Sequence, residues 1–495
     1  MNLFTKSSWI AGILCLIISL PMFAQEHLTY TLEPHLEAKK PYLKVSFSAK
    51  TNEQGILNLH YNDSFWGQRR LFDCLQNITT KPAAQKVDRQ RDKDNIQIVG
   101  KPNTSYEITY HIVQDMGGPI EHKHCYRPII QPTYLHSFGH RLFLLPLGAL
   151  SNKEARLFTI RWRNIPRDFV VHNSFGGAPN QTLRLKEEEL FSSIFVAGDF
   201  KRYIFTIKGN QVHFVVRGKW EKFNADQVAE LLKKVIRNQR DFWKDHRDSL
   251  YTVTLMEIHT PMGSSVGGTN LHRSFATYCS KNKYTTFDLI KYLYNHELMH
   301  NWVGKKIINA DEERQYWFSE GFTDYYTYKL MLKGGLIDLE TYLKMVNQRI
   351  LKPHYTSKIK NAPNDSLTYK NYWGNYAYQK LPYYRGSLYA LLLDTQIKQK
   401  TKQRKSLDNL MFDLLKACTG KKSRRLDHQL FKKYLKRYLG KKSLKTFEQL
   451  IEKGQLIDFK DKLWKEIAVT TKEGYPQFTL ADQTVAAALK QKLIK

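Results

Sequence analysis

The pattern His296-Glu297-Leu298-Met299-His300, followed by Glu320 in Trp317-Phe-Ser-Glu-Gly-Phe-Thr-Asp-Tyr-Tyr326, constrains this chain most. Two histidines at i and i+4 share one face of a helix, one turn apart. The lead-in Thr286-Phe-Asp-Leu-Ile-Lys-Tyr-Leu-Tyr-Asn295 has apolar residues at helical spacing and predicts that helix. The spacing offers two imidazole nitrogens to one Zn2+, and Glu320 supplies a carboxylate from a later helical segment. Two His and one Glu leave a fourth position open, which is the arrangement of a reactive rather than a structural zinc site. Glu297 lies between the histidines and faces that position. Asp324, one turn beyond Glu320, is placed to accept the second N–H of a ligand histidine and fix its tautomer. The competing reading is a solvated amphipathic helix with incidental histidines.

The N-terminus reads as an export signal over residues 1–24. Lys6 supplies a positive start, Trp9 to Met22 an apolar run, and Ala24 a small residue for cleavage. The apolar run is short for a membrane-spanning helix and stops at Pro21. The expected location is therefore periplasmic or secreted. The remaining length exceeds what one hydrophobic core serves, so several domains are expected. Cys74, Cys125, Cys279 and Cys418 are too scattered for a zinc finger. A Cys74–Cys125 bridge is compatible with an oxidising compartment, and Cys279 reads as a buried strand residue.

The formal net charge is +31, unevenly spread: residues 397–445 hold 17 Lys/Arg against three Asp. Such a stretch could contact an anionic surface peripherally. The alternative is the solvated face of helices whose other face carries Leu407, Leu410, Met411, Leu414, Leu415, Leu435, Tyr438 and Leu439. No nucleic-acid recognition motif is present, and none is expected of an exported chain.

Along the chain, residues 25–190 show short alternating runs broken by Gly, Pro and Asn, which predicts an antiparallel β domain. A hairpin is expected around Gly209-Asn210 and an amphipathic helix from Ala225 to Trp243. Strands should follow around Gly267-Gly268, then the histidine helix. Helices should dominate from Glu340 onward, including a helical tail from Phe447 to Glu466. No internal repeat or low-complexity linker is visible.

With these residues in view, the chain resembles the gluzincin metallopeptidases, and among them the glycyl aminopeptidase family, relatives of the alanyl aminopeptidases. The phrase Tyr383-Tyr384-Arg385-Gly386 is similar to that family's Tyr-x-Lys-Gly, with Arg in place of Lys. The resemblance covers roughly residues 190–420. It implies an α+β multidomain fold: an N-terminal antiparallel β domain (25–190), a thermolysin-like zinc catalytic domain (191–345) and a helical C-terminal part (346–495). It implies one Zn2+ per chain held by His296, His300 and Glu320, with Glu297 as general base. Tyr383 would donate to the developing oxyanion. Gly267 and Gly268 would lie in a strand that runs beside a peptide substrate, although a tight turn is the competing reading. Asn270 and Tyr378 are further substrate-binding candidates.

Two departures from the family stand out. The relatives carry an acid just after Gly-Gly that holds the substrate α-amine; here the run is Gly267-Gly-Thr-Asn-Leu-His-Arg273, without one. The tail is also too short for the PDZ-like domain that many members carry. The expected activity is therefore peptide-bond hydrolysis by an exported aminopeptidase. An endopeptidase or a peptidase of altered specificity is the first alternative, and a non-catalytic binding protein on a peptidase scaffold the second. Glu257 is the acid that could restore amine binding.

Overall fold

The computed structural model describes residues 27–147 and 154–495. The export signal expected at 1–24 lies outside the described residues. The first large unit is β-rich. A six-stranded sheet runs, in spatial order, 180–185, 156–162, 28–35, 42–50, 105–113 and 75–81. All its neighbours are antiparallel except Leu28–His35 with Arg156–Trp162. The strand Leu28–His35 alternates buried and half-buried residues along its length, as a sheet with one face on a core requires. Tyr30, Leu32, Val45, Phe47, Ile108 and Tyr110 meet in that core. The β-rich unit extends past the expected boundary at 190, because Ile194–Gly198 pairs with Val170–Asn173 and Tyr134–Phe138.

The next unit is a five-stranded sheet in the order Lys201–Ile207, Asn210–Arg217, Leu250–Ile258, Ser274–Ser280, Val266–Leu271. Its three inner strands are parallel to one another, and both edge strands run antiparallel to them. The predicted hairpin turns at Lys208-Gly209, both with positive φ, which suits the right-handed twist of two-residue hairpins. The predicted helix is present as Ala225–Trp243, capped by Asn224. The sheet is covered on both faces. Val212, Phe214, Val253, Leu255, Phe275 and Cys279 pack under the helices Ala225–Trp243 and Phe287–Met299. Val215, Met256, Ile258, Leu271, Ala276 and Tyr278 pack against Ile129, Tyr134, Phe138, Ile194 and Val196 of the β-rich unit. Burial on both faces is why Ser274–Ser280 is buried throughout.

Helices fill most of the remaining chain, and none among the described residues is long and apolar enough to cross a membrane. The longest is Tyr376–Lys400, which crosses Gly321–Lys333 closely. Glycines make the crossing tight. A Cβ on Gly386 would sit 1.9 Å from the Trp317 carbonyl oxygen, and one on Gly321 would sit 2.4 Å from the Gly386 Cα. Two expectations need correction. The segment 454–466 is irregular rather than helical, and a two-stranded hairpin, Ile467–Lys472 with Tyr475–Leu480, interrupts the helical C-terminal part. Its apolar residues, Ile467, Tyr475 and Phe478, join the helical core, so a hairpin suffices to seal that side. Cys74 and Cys125 are buried and free. In the basic segment the predicted apolar stripe is present: Leu407, Leu410, Met411, Leu414 and Leu435 are buried.

Candidate metal centre and substrate groove

Thr286 starts the helix Phe287–Met299, which carries His296, and His300 sits at its C-terminal cap. Glu320 occupies the junction between Glu312–Ser319 and Gly321–Lys333, and Asp324 lies in the first turn of the second helix. The three ligand atoms of His296, His300 and Glu320 converge within 4.8 Å of one another. His296 Nε2 lies 3.1 Å from His300 Nε2, and Glu320 Oε2 lies 3.3 and 3.7 Å from the two nitrogens. Tetrahedral ligands at zinc–nitrogen and zinc–oxygen distances stand roughly 3.3 Å apart, so the spacing fits.

The hydrogen bonds decide what occupies the centre. His296 Nδ1 meets Asp324 Oδ1 at 2.9 Å, and His300 Nδ1 meets the Val303 carbonyl at 3.1 Å. A carboxylate and a carbonyl only accept, so both Nδ1 atoms carry the proton and both Nε2 atoms present lone pairs. Glu320 Oε2 is buried without a hydrogen-bond partner. With both Nε2 atoms unprotonated, three acceptors face one another, and a shared metal cation satisfies them together. Tyr292 also donates to Asp324 Oδ1 at 2.6 Å, which holds that carboxylate against the ring.

The charges agree. Burial alone would raise the Glu320 carboxyl, but His300 and His296 outweigh it and hold it down to about 2. Burial alone would lower His296, but Asp324 and Glu320 overcome it and lift the imidazole to about 10, so without a metal the ring holds a second proton that a bound cation replaces. The cage is built for positive charge. Burial lifts the Glu297 carboxyl above the usual glutamate value, against the pull of His296 and His300. A raised pKa suits a carboxylate that must accept a proton and return it.

Gly267 and Gly268 lie inside the edge strand Val266–Leu271, so the tight-turn reading fails; the chain turns at His272-Arg273. Each glycine leaves room for a neighbour. A Cβ on Gly268 would stand 3.3 Å from the Glu297 carboxyl carbon, and one on Gly267 2.7 Å from the Tyr278 hydroxyl. Asn270 Nδ2 donates to the Glu297 carbonyl at 3.1 Å, tying the strand to the histidine helix. Its Oδ1 is buried without a partner.

Tyr383 is brought to the centre by the glycine crossing. Its ring stacks on His296 with centroids 5.7 Å apart, and its hydroxyl lies 3.5 Å from that of Tyr372. Burial, then the Glu320 charge, push the phenol well above its ordinary value, so it remains a proton donor. Tyr378 is half-buried earlier on the same helix and has none of these contacts. Glu257 is committed elsewhere: its carboxylate accepts from the Lys219 amide at 2.9 Å and meets Lys281 Nζ at 3.3 Å. Arg273 sits exposed at the hairpin turn with φ 45°.

Sequence reasoning missed three residues that shape the groove. The Tyr126 hydroxyl donates to the Gly268 carbonyl at 3.2 Å, and Tyr278 donates to Tyr126 at 3.0 Å and meets His122 Nε2 at 3.0 Å. Tyr126 and His122 come from the β-rich unit, so no local signal marks them. Tyr292 was missed as well, although its place one turn before His296 on the same helix face could have marked it.

The fold and this site define a zinc metallopeptidase of the kind with an HExxH helix and a distal glutamate ligand. Residues 290–390 match the M61 glycyl aminopeptidase family, a span that holds His296, Glu297, His300, Glu320, Asp324 and Tyr383. The chain resembles that family in its catalytic segment. No curated protein matches it. Among solved structures it is similar to an aminopeptidase N family protein from Idiomarina loihiensis, at 17% identity and TM-score 0.72, over 90% of this chain and 79% of that one. It is also similar to an M1 zinc metallopeptidase from Deinococcus radiodurans, at 13% identity and TM-score 0.51, over 87% and 94% of the two chains. At these identities the likeness concerns the fold.

Proposed function

We propose that this chain is an exported zinc aminopeptidase of glycyl aminopeptidase type. The observation that carries the reading is the convergence of three acceptor atoms from His296, His300 and Glu320, with Glu297 and Tyr383 beside them, inside the segment that matches that family. When bound, zinc supplies Lewis acidity, lowering the pKa of water and polarising a carbonyl. Glu297 takes the proton from the attacking water and passes it to the leaving amine. Tyr383 donates its hydroxyl hydrogen bond to the oxygen that gains charge. Asp324 and Val303 hold the two imidazoles in the ligating tautomer. The peptide lies along Val266–Leu271 and pairs with that strand's free edge. Export rests on the signal-like residues 1–24, and N-terminal sequencing of the mature protein tests it.

One observation favours a second reading, an endopeptidase. The strand Val266–Leu271 carries no carboxylate and Glu257 is engaged by Lys219 and Lys281, so neither offers an acid to a substrate ammonium. Cleavage of one peptide with a free N-terminus and its N-acetylated twin decides between them. Cutting only the free peptide supports the aminopeptidase. Equal cutting of both supports the endopeptidase. Cutting of neither by the zinc-loaded protein contradicts both.

A further inference from the structure

We propose that Lys380 makes the groove selective for peptides that carry a carboxylate within one or two residues of the scissile bond. The proposal rests on the peptidase reading above and names its substrate class. The Lys380 ammonium lies 4.4 Å from the centroid of the Tyr383 ring, the same ring that stacks on His296. Its charge also reaches Glu297, where it adds to the pull of the two histidines. Lys380 therefore belongs to the space where the scissile bond must sit, not to the outer surface.

Lys380 is a half-buried residue, and no carboxylate forms an ion pair with its ammonium among the described residues. Glu297 feels the Lys380 charge without pairing with it, and the other acids of the centre have partners of their own. Asp324 holds His296 and Tyr292, and Glu320 faces the two histidines. Glu312 accepts from Ser319 at 2.6 Å and from Asn309 at 3.0 Å. An ammonium with no counter-ion beside the reacting groups is matched by a ligand that brings an anion. The Tyr383 face offers the ammonium cation–π contact but no acceptor, so its three N–H donors stay open.

The surroundings strengthen the charge. Tyr376 flanks Lys380 at 5.9 Å and is 72% exposed, and Trp373, 62% exposed, continues the rim. Across the groove the edge strand offers no carboxylate, and its turn ends in Arg273. A formal charge of +31 favours encounter with acidic peptides. Successive Cα atoms stand about 3.8 Å apart, so an Asp or Glu side chain, or the peptide's own C-terminal carboxylate, can reach Lys380 while the scissile carbonyl sits at the metal.

The test uses the zinc-loaded protein and four peptides with one core: a neutral C-terminal amide, its free-acid form, a Glu-containing amide and a Lys-containing amide. Wild type is compared with Lys380→Met, Lys380→Gln and Lys380→Glu, with Glu297→Gln as the inactive control. The expected wild-type preference for the carboxylate peptides over the neutral amide is about tenfold in kcat/KM, carried by KM, as a partly buried charge pair provides. The Met and Gln variants should bring that ratio close to one, and the Glu variant should shift preference to the Lys peptide. Preference for the free acid alone assigns the recognised group to the C-terminus, and preference for the Glu amide assigns it to a side chain. Equal slowing of all four peptides by Lys380→Met with the ratio kept overturns the proposal, because Lys380 then acts only through Tyr383. Cleavage that Glu297→Gln abolishes, without any wild-type preference, overturns the proposal and leaves the peptidase reading standing. Cleavage of none of the four peptides overturns both.

Discussion

The metal ligands come from two neighbouring stretches, His296–His300 and Glu320, with Asp324 one turn on, whereas the groove beside them draws Tyr126, Gly268 and Lys380 from three distant parts of the chain. Local helices set the first geometry; sheet topology and domain packing set the second. The metal side is closed by hydrogen bonds that leave each histidine one role. The groove side keeps open atoms, the Asn270 Oδ1 and the Lys380 ammonium among them. The difference separates the part that fixes the chemistry from the part that chooses the substrate.

The comparison can be broken at the crossing that joins the two sides. Gly386→Ala places a methyl 1.9 Å from the Trp317 carbonyl oxygen and 2.8 Å from the Gly321 Cα. The expected loss is about 3 kcal/mol of stability, read from urea unfolding, because well-packed backbone cannot yield. Unchanged stability would show that the helices cross more loosely. Next in size, Asp324→Asn should weaken zinc binding by roughly 10–100-fold in a chelator competition, since the His296 ring loses its anionic acceptor. An effect below twofold would remove Asp324 from the account.

Two smaller changes probe the groove. Gly268→Ala puts a methyl 3.0 Å from the Ala276 carbonyl and 3.3 Å from the Glu297 carboxyl carbon. We expect kcat to fall by about tenfold with zinc content intact, because small displacements of a base are costly. Loss of zinc as well would mean that strand and metal cage are one unit. Tyr126→Phe removes the hydrogen bond to the Gly268 carbonyl. About a fivefold rise in KM is expected from one such bond, and a change confined to kcat would place Tyr126 in the chemistry instead.

The metal side was legible because its information is local. HExxH, a following Glu and an acid one turn later are spacings on helices, and the structure joins all of them. The helix Ala225–Trp243 and the hairpin at Gly209 were legible for the same reason. The groove was legible only where glycine marked it. Gly267 and Gly268 signalled a close approach, but nothing local named Glu297 on one face and Tyr278 on the other. Tyr126 meets Gly268 across 142 residues, and no spacing rule spans that. The same limit explains the tail, where 454–466 reads as helix but is irregular, and the hairpin after it is held by the packing of Ile467, Tyr475 and Phe478.

The most direct test measures zinc content and peptide cleavage on the same samples of wild type and Glu297→Gln. The account predicts one zinc per chain in both proteins, cleavage by wild type, and a loss of roughly 10²–10⁴-fold in the variant, the contribution of a positioned general base. Chelation should abolish wild-type cleavage and zinc should restore it. Full cleavage by the zinc-loaded variant, or cleavage by protein stripped of metal, would contradict the claim that this cage and Glu297 carry the reaction.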